Sequence, residues 1–172
     1  DPDFLEFYRL SVDDYVKAWD KDGDGVPEHR PVYGNRGLGG YDEGPFSDRT
    51  AVGADLLAAE ARAFDACAGI LEARGEAAAA RSVRERASAL IATFEERWWD
   101  GGRARYADFL FSDGRLAFEE EFWGGVFPLY FGLIPAGPKR ETTLRGILGM
   151  GPGGVKVESY LPEIFYRYGA DE

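Results

Sequence analysis

Apolar residues recur at intervals of three and four along most of the chain, which is the spacing of one face of an α-helix. The first run predicts a helix that ends near residue 19, and its apolar positions are Leu5, Tyr8, Val12, Tyr15 and Trp19. Later runs predict helices at about 51–74, 78–99, 122–131, 141–148 and 161–168. Gly75 and Gly169 follow two of these runs directly, where a helix commonly ends. The pattern therefore predicts a mainly helical protein.

The run at 51–74 carries two apolar stripes. One consists of Val52, Leu56, Ala59, Ala63, Cys67 and Ile70, and the other of Leu57, Phe64 and Leu71. Two stripes predict a helix that is buried on two sides. Because only a short turn separates this run from the next, we expect the two helices to form an antiparallel hairpin.

The segments between the helices differ strongly in length. Glycine and proline crowd the stretch 20–49, and a second glycine-rich loop spans 149–154. An aromatic stretch at 105–116, with a turn signal at 112–114, predicts a small β excursion. Long loops alternating with short turns favour an α/α toroid of helical hairpins over a four-helix bundle, whose loops are mostly short. We therefore predict an all-α fold of this kind, with that β excursion.

The long stretch 20–49 has two interpretations. Connections of this length inside a compact domain are usually functional, and the alternative is a disordered linker. Its aromatic residues, Tyr33, Tyr41 and Phe46, argue against disorder.

Composition excludes several classes of protein. The 172 residues suit a single domain or a segment of a larger one, and a hydrophobic content of 45% supports a real core. Lys and Arg number 20 and Asp and Glu number 31, so a net charge of −11 argues against nucleic acid and anionic membrane as partners. No run approaches the roughly twenty apolar residues of a membrane span. The chain begins without Met, so we expect a soluble segment of a longer polypeptide.

Cysteine and histidine each occur once, as Cys67 and His29. Cys67 lies in an apolar helical pattern, and we expect it to pack as a small hydrophobic residue. It says little about the compartment, for which we favour the cytoplasm. No zinc site based on His or Cys is available, so any bound metal would have oxygen ligands.

The sharpest local motif is the Asp-rich stretch 20–28. Numbered from Asp20, it places carboxylates at positions one, three, five and nine and a backbone carbonyl at position seven, as in a calcium loop. These candidate ligands are Asp20, Asp22, Asp24, Val26 and Glu28. Position twelve is Pro31 instead of the bidentate Glu of an EF-hand. Two interpretations stay open, namely a structural calcium site and a plain Asp and Gly turn that ends the first helix. Under both interpretations, we expect the side chains of Asp20, Asp22 and Asp24 to point toward one small volume.

A second motif lies in the glycine-rich stretch 39–46, where Tyr41 precedes Asp42. A carboxylate beside an aromatic ring suits a sugar ligand, because the ring can stack on a pyranose while the carboxyl binds hydroxyls or protonates the glycosidic oxygen. Without further context, the pair favours the alternative interpretation of Asp42 as an ordinary turn residue.

The order of these motifs resembles the six-hairpin glycosidases, a superfamily that includes trehalase, glucoamylase and the non-lysosomal glucosylceramidases. The resemblance runs from the first helix through the Asp-rich turn and the Tyr41-Asp42 loop to the helical pair. The stretch from Trp98 to Asp108 is similar to the extended segment that follows a hairpin there, and Phe122-Trp123 is similar to the next inner helix. The resemblance implies that residues 1–172 are part of an α/α-barrel catalytic domain. The full toroid of such a domain needs twelve helices.

The resemblance also implies a function, glycoside hydrolysis, in which Asp42 is the general acid. We expect no cofactor to be required, and the structural calcium of the Asp-rich stretch stays open. The sugar-binding surface would contain Tyr41, Tyr33, Glu121 and Trp123, and Glu158 is a candidate for the second carboxylate. Alternative interpretations stay open for two of these residues: Glu158 as an acidic residue at a helix N-terminus, and Glu121 as part of a solvated charge run. The competing function is a non-catalytic helical binding module with a calcium-stabilised Asp-rich loop.

Overall fold

The computed structural model describes residues 2–20, 23–28, 50–111, 113–118, 122–151 and 155–169. In chain order the elements are α1 (Pro2–Trp19), β1 (Thr50–Gly53), α2 (Ala54–Ala73), α3 (Ala77–Arg97), β2 (Trp99–Asp100), β3 (Arg105–Tyr106), β4 (Phe109–Phe111), β5 (Leu116–Ala117), α4 (Trp123–Phe131), α5 (Pro138–Gly149), α6 (Val155–Glu158) and α7 (Leu161–Tyr168). The described chain is therefore mostly helical with two small sheets, as its periodicity predicts.

The predicted helical hairpin is present as α2 and α3. Gly75 adopts φ 79°, and its N–H donates to the carbonyl of Glu72 at 2.9 Å. A left-handed residue at this position ends a helix at low cost only when it is glycine, because glycine has no Cβ. The three-residue connection then returns α3 along α2.

Helix α2 lies at the centre of the fold and packs against α1, α3, α4 and β1. Its predicted stripe of Leu57, Phe64 and Leu71 is fully buried. The other predicted stripe is buried only in part, because Cys67 is enclosed while Ala59 is exposed. Burial on more than one side is therefore confirmed, with a narrower second face than the sequence indicates.

The β component is larger than predicted. Strands β1, β4 and β5 form an antiparallel sheet in the order β1-β4-β5, and β2 pairs with β3. Val52, which the periodicity placed in a helix, lies in β1 opposite Leu110. Helix α2 consequently begins at Ala54. A four-residue strand is too short to show a period of its own, and it forms here because the apolar β4 supplies a partner.

The later helices follow the sequence closely. Helix α4 ends at Gly132, which has φ 81°, and α7 ends at Gly169, which has φ 69°. Helix α5 begins three residues earlier than predicted, at Pro138, since proline is favoured in the first turn of a helix. The single turn α6 was not predicted. None of the helices in the described ranges is long and apolar enough to cross a membrane.

Candidate functional site

The candidate site residues divide into those that the structure describes and those that it does not. Asp42, Tyr41, Tyr33, Glu121 and Asp22 lie outside the described residues. The candidates within them form two groups, which are Trp123 with Glu158 and the loop residues Asp20, Asp24, Val26 and Glu28.

Trp123 belongs to a row of aromatic rings along α4. Its ring centroid lies 5.8 Å from that of Phe109 and 5.7 Å from that of Phe127. Phe127 in turn contacts Tyr160 at 5.1 Å, and Tyr160 contacts Tyr130 at 4.7 Å. We call these five residues the aromatic row. All except Phe109 are half-buried, so the row combines firm packing with partly accessible ring surface.

Glu158 is brought near the end of this row. It is exposed at the end of the single turn α6, two residues before Tyr160. The Tyr160 N–H donates to the carbonyl of Val157 at 3.1 Å, and Val157 is fully buried. The segment that carries Glu158 is therefore anchored in the core, and Phe127 and Tyr160 connect it to Trp123.

A buried carboxylate holds the start of α4, where Trp123 lies. Asp108 Oδ1 accepts the N–H of Gly124 at 2.5 Å, and Asp108 Oδ2 accepts Arg105 Nη2 at 2.8 Å. The first N–H groups of a helix have no partner within it, and a carboxylate there also interacts favourably with the helix dipole. Asp108 was not among the site residues that the sequence indicated. The available signal was a lone acid inside the apolar run 106–111.

Helix α4 lies very close to the backbone just before β4. A Cβ on Gly124 would lie 2.1 Å from the carbonyl oxygen of Ala107, so only glycine fits. Phe122, immediately before the helix, adopts φ 53°, which is uncommon for a residue with a side chain. The Arg105 guanidinium lies 3.8 Å from the centroid of the Phe122 ring. Strained backbone of this kind is typical of positions that the surrounding structure fixes.

The Asp-rich loop folds tightly against the end of α1. Gly23 and Gly25 have φ 81° and 84°, and their N–H groups donate to the two carboxylate oxygens of Asp20 at 2.7 and 3.0 Å. Asp24 Oδ1 accepts the Val26 N–H at 2.9 Å, and the side chain of Val26 is buried in the core.

This folding gathers acidic side chains. Asp20, Asp24 and Glu28 each offer one carboxylate oxygen within 4.8 Å of the others. Asp24 also forms an ion pair with Arg97 at the end of α3. Of the predicted calcium ligands, the structure therefore brings three carboxylates together.

Glu60 on α2 is a buried acid that the sequence analysis missed. It is only 8% exposed, and among the described residues neither of its oxygens has a hydrogen-bond partner. The pKa of Glu60 is raised to about 8, mainly by burial; Arg86 opposes this shift, and the charges of Asp20 and Asp24 contribute to it. The sequence signal was an acid within the Ala-rich run 58–63, although exposed acids are ordinary in such runs.

A groove of about 720 Å³ lies between α2, α3 and the ends of α4 and α7. Its floor is apolar, with Ile91, Phe131 and Leu133, and Tyr130 of the aromatic row also lines it. The charged residues at its rim include two ion pairs, Arg62 with Asp65 and Arg167 with Glu163. This volume lies within the range of small-molecule sites.

Comparison with known proteins shows similarity to a solved structure. No protein-family model and no curated protein matches the chain. Among solved structures, a GH78 family rhamnosidase of Bacillus sp. GL1 is similar over 96% of this chain with a TM-score of 0.73 and 18% sequence identity. This chain spans 17% of the length of that chain. The likeness shows a shared fold over a small part of the rhamnosidase.

Proposed function

We propose that this chain is part of a carbohydrate-active protein with an α/α-barrel domain, and that the whole protein hydrolyses glycosides. The aromatic row carries the proposal, because half-buried rings held on a rigid helix suit the faces of a sugar. The similar structure is named as a rhamnosidase, a glycoside hydrolase, and this agrees with the motif resemblance of the sequence. Fold likeness alone does not establish activity, so the roles of particular residues need direct tests.

The chemistry requires two carboxyl groups. In the proposed mechanism Asp42 protonates the departing glycosidic oxygen, and Glu158 is the candidate for the second carboxylate, as nucleophile or as base for water. Trp123, Tyr41 and Tyr33 would stack on the sugar. Glu121 would accept hydrogen bonds from sugar hydroxyls.

Asp42→Asn in the full-length protein tests the acid. The amide keeps the size of the carboxyl but has no proton to deliver, so turnover of alkyl glycosides should fall by about a hundred- to ten-thousandfold. Turnover of aryl glycosides with good leaving groups, starting with aryl rhamnosides, should fall less, because these leaving groups need little protonation. Rates are compared at equal enzyme concentration.

Asp113→Asn is the control for that experiment, because Asp113 is an exposed carboxylate in the β4–β5 turn. It should retain wild-type rates. If Asp42→Asn hydrolyses both classes of glycoside as fast as the wild type, the assignment of Asp42 is wrong.

Trp123→Ala tests the aromatic row. Loss of a stacking ring should weaken sugar binding by about ten- to a hundredfold, which corresponds to the 1.5–3 kcal/mol gained when an apolar side chain is buried. Tyr166→Ala is the matched control, because Tyr166 is an aromatic residue that is 81% exposed and does not belong to the row. Equal sugar affinity of both variants would exclude the row as the binding surface.

The gathered acidic loop supports a second candidate, a non-catalytic helical binding module with a calcium-stabilised loop. The two candidates predict different results. A module would show calcium-dependent thermal stability with neither sugar binding nor turnover, whereas the hydrolase would turn over at least one class of glycoside.

A further inference from the structure

We propose that Glu60 on α2 and the acidic loop residues Asp20, Asp24 and Glu28 together form a binding site for one calcium ion, which ties the loop after α1 to the central helix. This inference is independent of the proposed hydrolysis.

The spacing of the loop carboxylates fits a single ion. Calcium binds oxygens at about 2.3–2.6 Å, so two oxygens on one ion lie at most about 5 Å apart. The three loop oxygens lie within 4.8 Å of one another, which meets this limit. The ion pair of Asp24 with Arg97 offsets part of this negative charge, and a divalent cation between the carboxylates would offset the repulsion that remains.

Glu60 supplies an independent indication of a ligand. A buried carboxylate without hydrogen-bond partners is costly, and such groups usually have a partner that compensates for the lost water. Glu60 has none in the described part of the chain. A cation that reaches this carboxyl would provide one.

Two observations place Glu60 toward the loop. Val26, the buried residue of the loop, packs in the same core cluster as Leu57 and Ala61, which lie three residues before and one after Glu60 on α2. After burial, the negative charges of Asp20 and Asp24 also contribute to the raised pKa of the Glu60 carboxyl. The loop and the part of α2 that carries Glu60 therefore share one core cluster, and the loop carboxylates are near enough to act on the Glu60 charge.

Glu60 would also supply the carboxylate that the loop lacks. Position twelve of the motif is Pro31, so the loop has no bidentate glutamate of its own. The Glu60 oxygens lie outside the 4.8 Å group. Its carboxylate would reach the ion through a bridging water or after a change of rotamer, and water-mediated ligands are ordinary in calcium loops.

The donor set selects calcium over magnesium. All candidate ligands are oxygens, several of them are charged, and the loop that holds them contains two glycines. Calcium accepts six to eight oxygens in flexible geometry, whereas magnesium demands near-ideal octahedral geometry and keeps its waters.

Calorimetric titration of the chelator-treated protein with calcium chloride tests the site. We expect one ion per chain, a dissociation constant below about 1 mM and a higher melting temperature with calcium than without it. Glu60→Gln preserves the shape of the side chain and removes its charge, so calcium affinity should fall at least about tenfold. Glu85→Gln, on the exposed surface of α3, should leave calcium affinity unchanged.

Asp20→Asn gives a second measurement on the loop itself and should also weaken binding. Circular dichroism establishes that each variant is folded before titration. No heat at millimolar calcium in the wild type would overturn the proposal. Unchanged calcium affinity in folded Glu60→Gln would overturn it as well, and so would equally tight binding of magnesium chloride.

Discussion

Asp108 is fully buried and joins three parts of the chain through its side chain and backbone. Its carboxylate binds the N–H of Gly124 and the guanidinium of Arg105, and its carbonyl accepts the N–H of Ala54 at 2.9 Å. A charge in this position is favourable only while its partners remain, because an isolated buried charge is costly. The residue therefore connects the start of α2, the small sheet and the start of α4.

Asp108→Ala should lower the free energy of unfolding by about 3–5 kcal/mol, because it leaves Arg105 and the Gly124 N–H without their carboxylate. Asp108→Asn should cost less, since the amide oxygen can still accept one hydrogen bond. Urea unfolding measures both variants. Asp113→Ala, which removes an exposed pair with Arg115, should cost less than about 1 kcal/mol. Similar losses for Asp108→Ala and Asp113→Ala would contradict this role.

Cys67 behaves as a small apolar residue, as its sequence context predicts. It is 2% exposed, and burial raises the pKa of its thiol. Because the thiolate is the reactive form, alkylation by iodoacetamide at pH 7.5 should be more than about tenfold slower in the folded protein than in urea. Mass spectrometry follows the reaction. Equal rates in both states would show that the thiol is accessible in the folded chain.

At the scale of elements, the contact between α4 and the segment before β4 requires glycine. The Cβ of Gly124→Ala would overlap the backbone of Ala107, which cannot move aside easily, so we expect a loss of about 1–3 kcal/mol or more. Gly69→Ala is the matched control. Gly69 lies within α2 with nothing within 4 Å of the added Cβ. Because alanine has a better helix propensity than glycine, Gly69→Ala should raise the free energy of unfolding by up to about 1 kcal/mol. Thermal melting distinguishes the two, and a stabilised Gly124→Ala would contradict the structure.

The small sheets show which elements sequence patterns can indicate. The segment 105–116 was predicted because its aromatic residues and its Asp113-Gly114 turn are local signals. Strand β1 was missed because it consists of four residues that pair with β4, about sixty residues later. Pairing of this kind depends on a distant partner.

At the scale of the whole molecule, α2 links most of the described chain. Phe64 is 1% exposed in the main core cluster, so Phe64→Ala should cost about 3–5 kcal/mol. Because one cluster connects the helices and the sheet, far-ultraviolet circular dichroism and tryptophan fluorescence should report the same transition. Phe7→Ala, at a position 67% exposed on α1, should cost much less. Separate transitions for the two probes would show that parts of the described chain unfold independently of each other.

Local patterns of the sequence determined the helices and their ends, because helical periodicity and left-handed glycines act over a few residues. Gly75, Gly132 and Gly169 end α2, α4 and α7 as the sequence predicts, or within one or two residues of that position. The gathering of Asp20, Asp24 and Glu28 is also local, since two glycines fold one short loop.

The tertiary structure alone decided which polar and aromatic side chains face one another. The burial of Glu60 depends on the packing around α2, and the cap of α4 comes from Asp108, sixteen residues before Gly124. The aromatic row likewise joins Phe109 to Tyr160 across about fifty residues. The physical reason is that desolvation and ring packing depend on the distance in space between groups, and a single sequence gives that distance only for close neighbours along the chain.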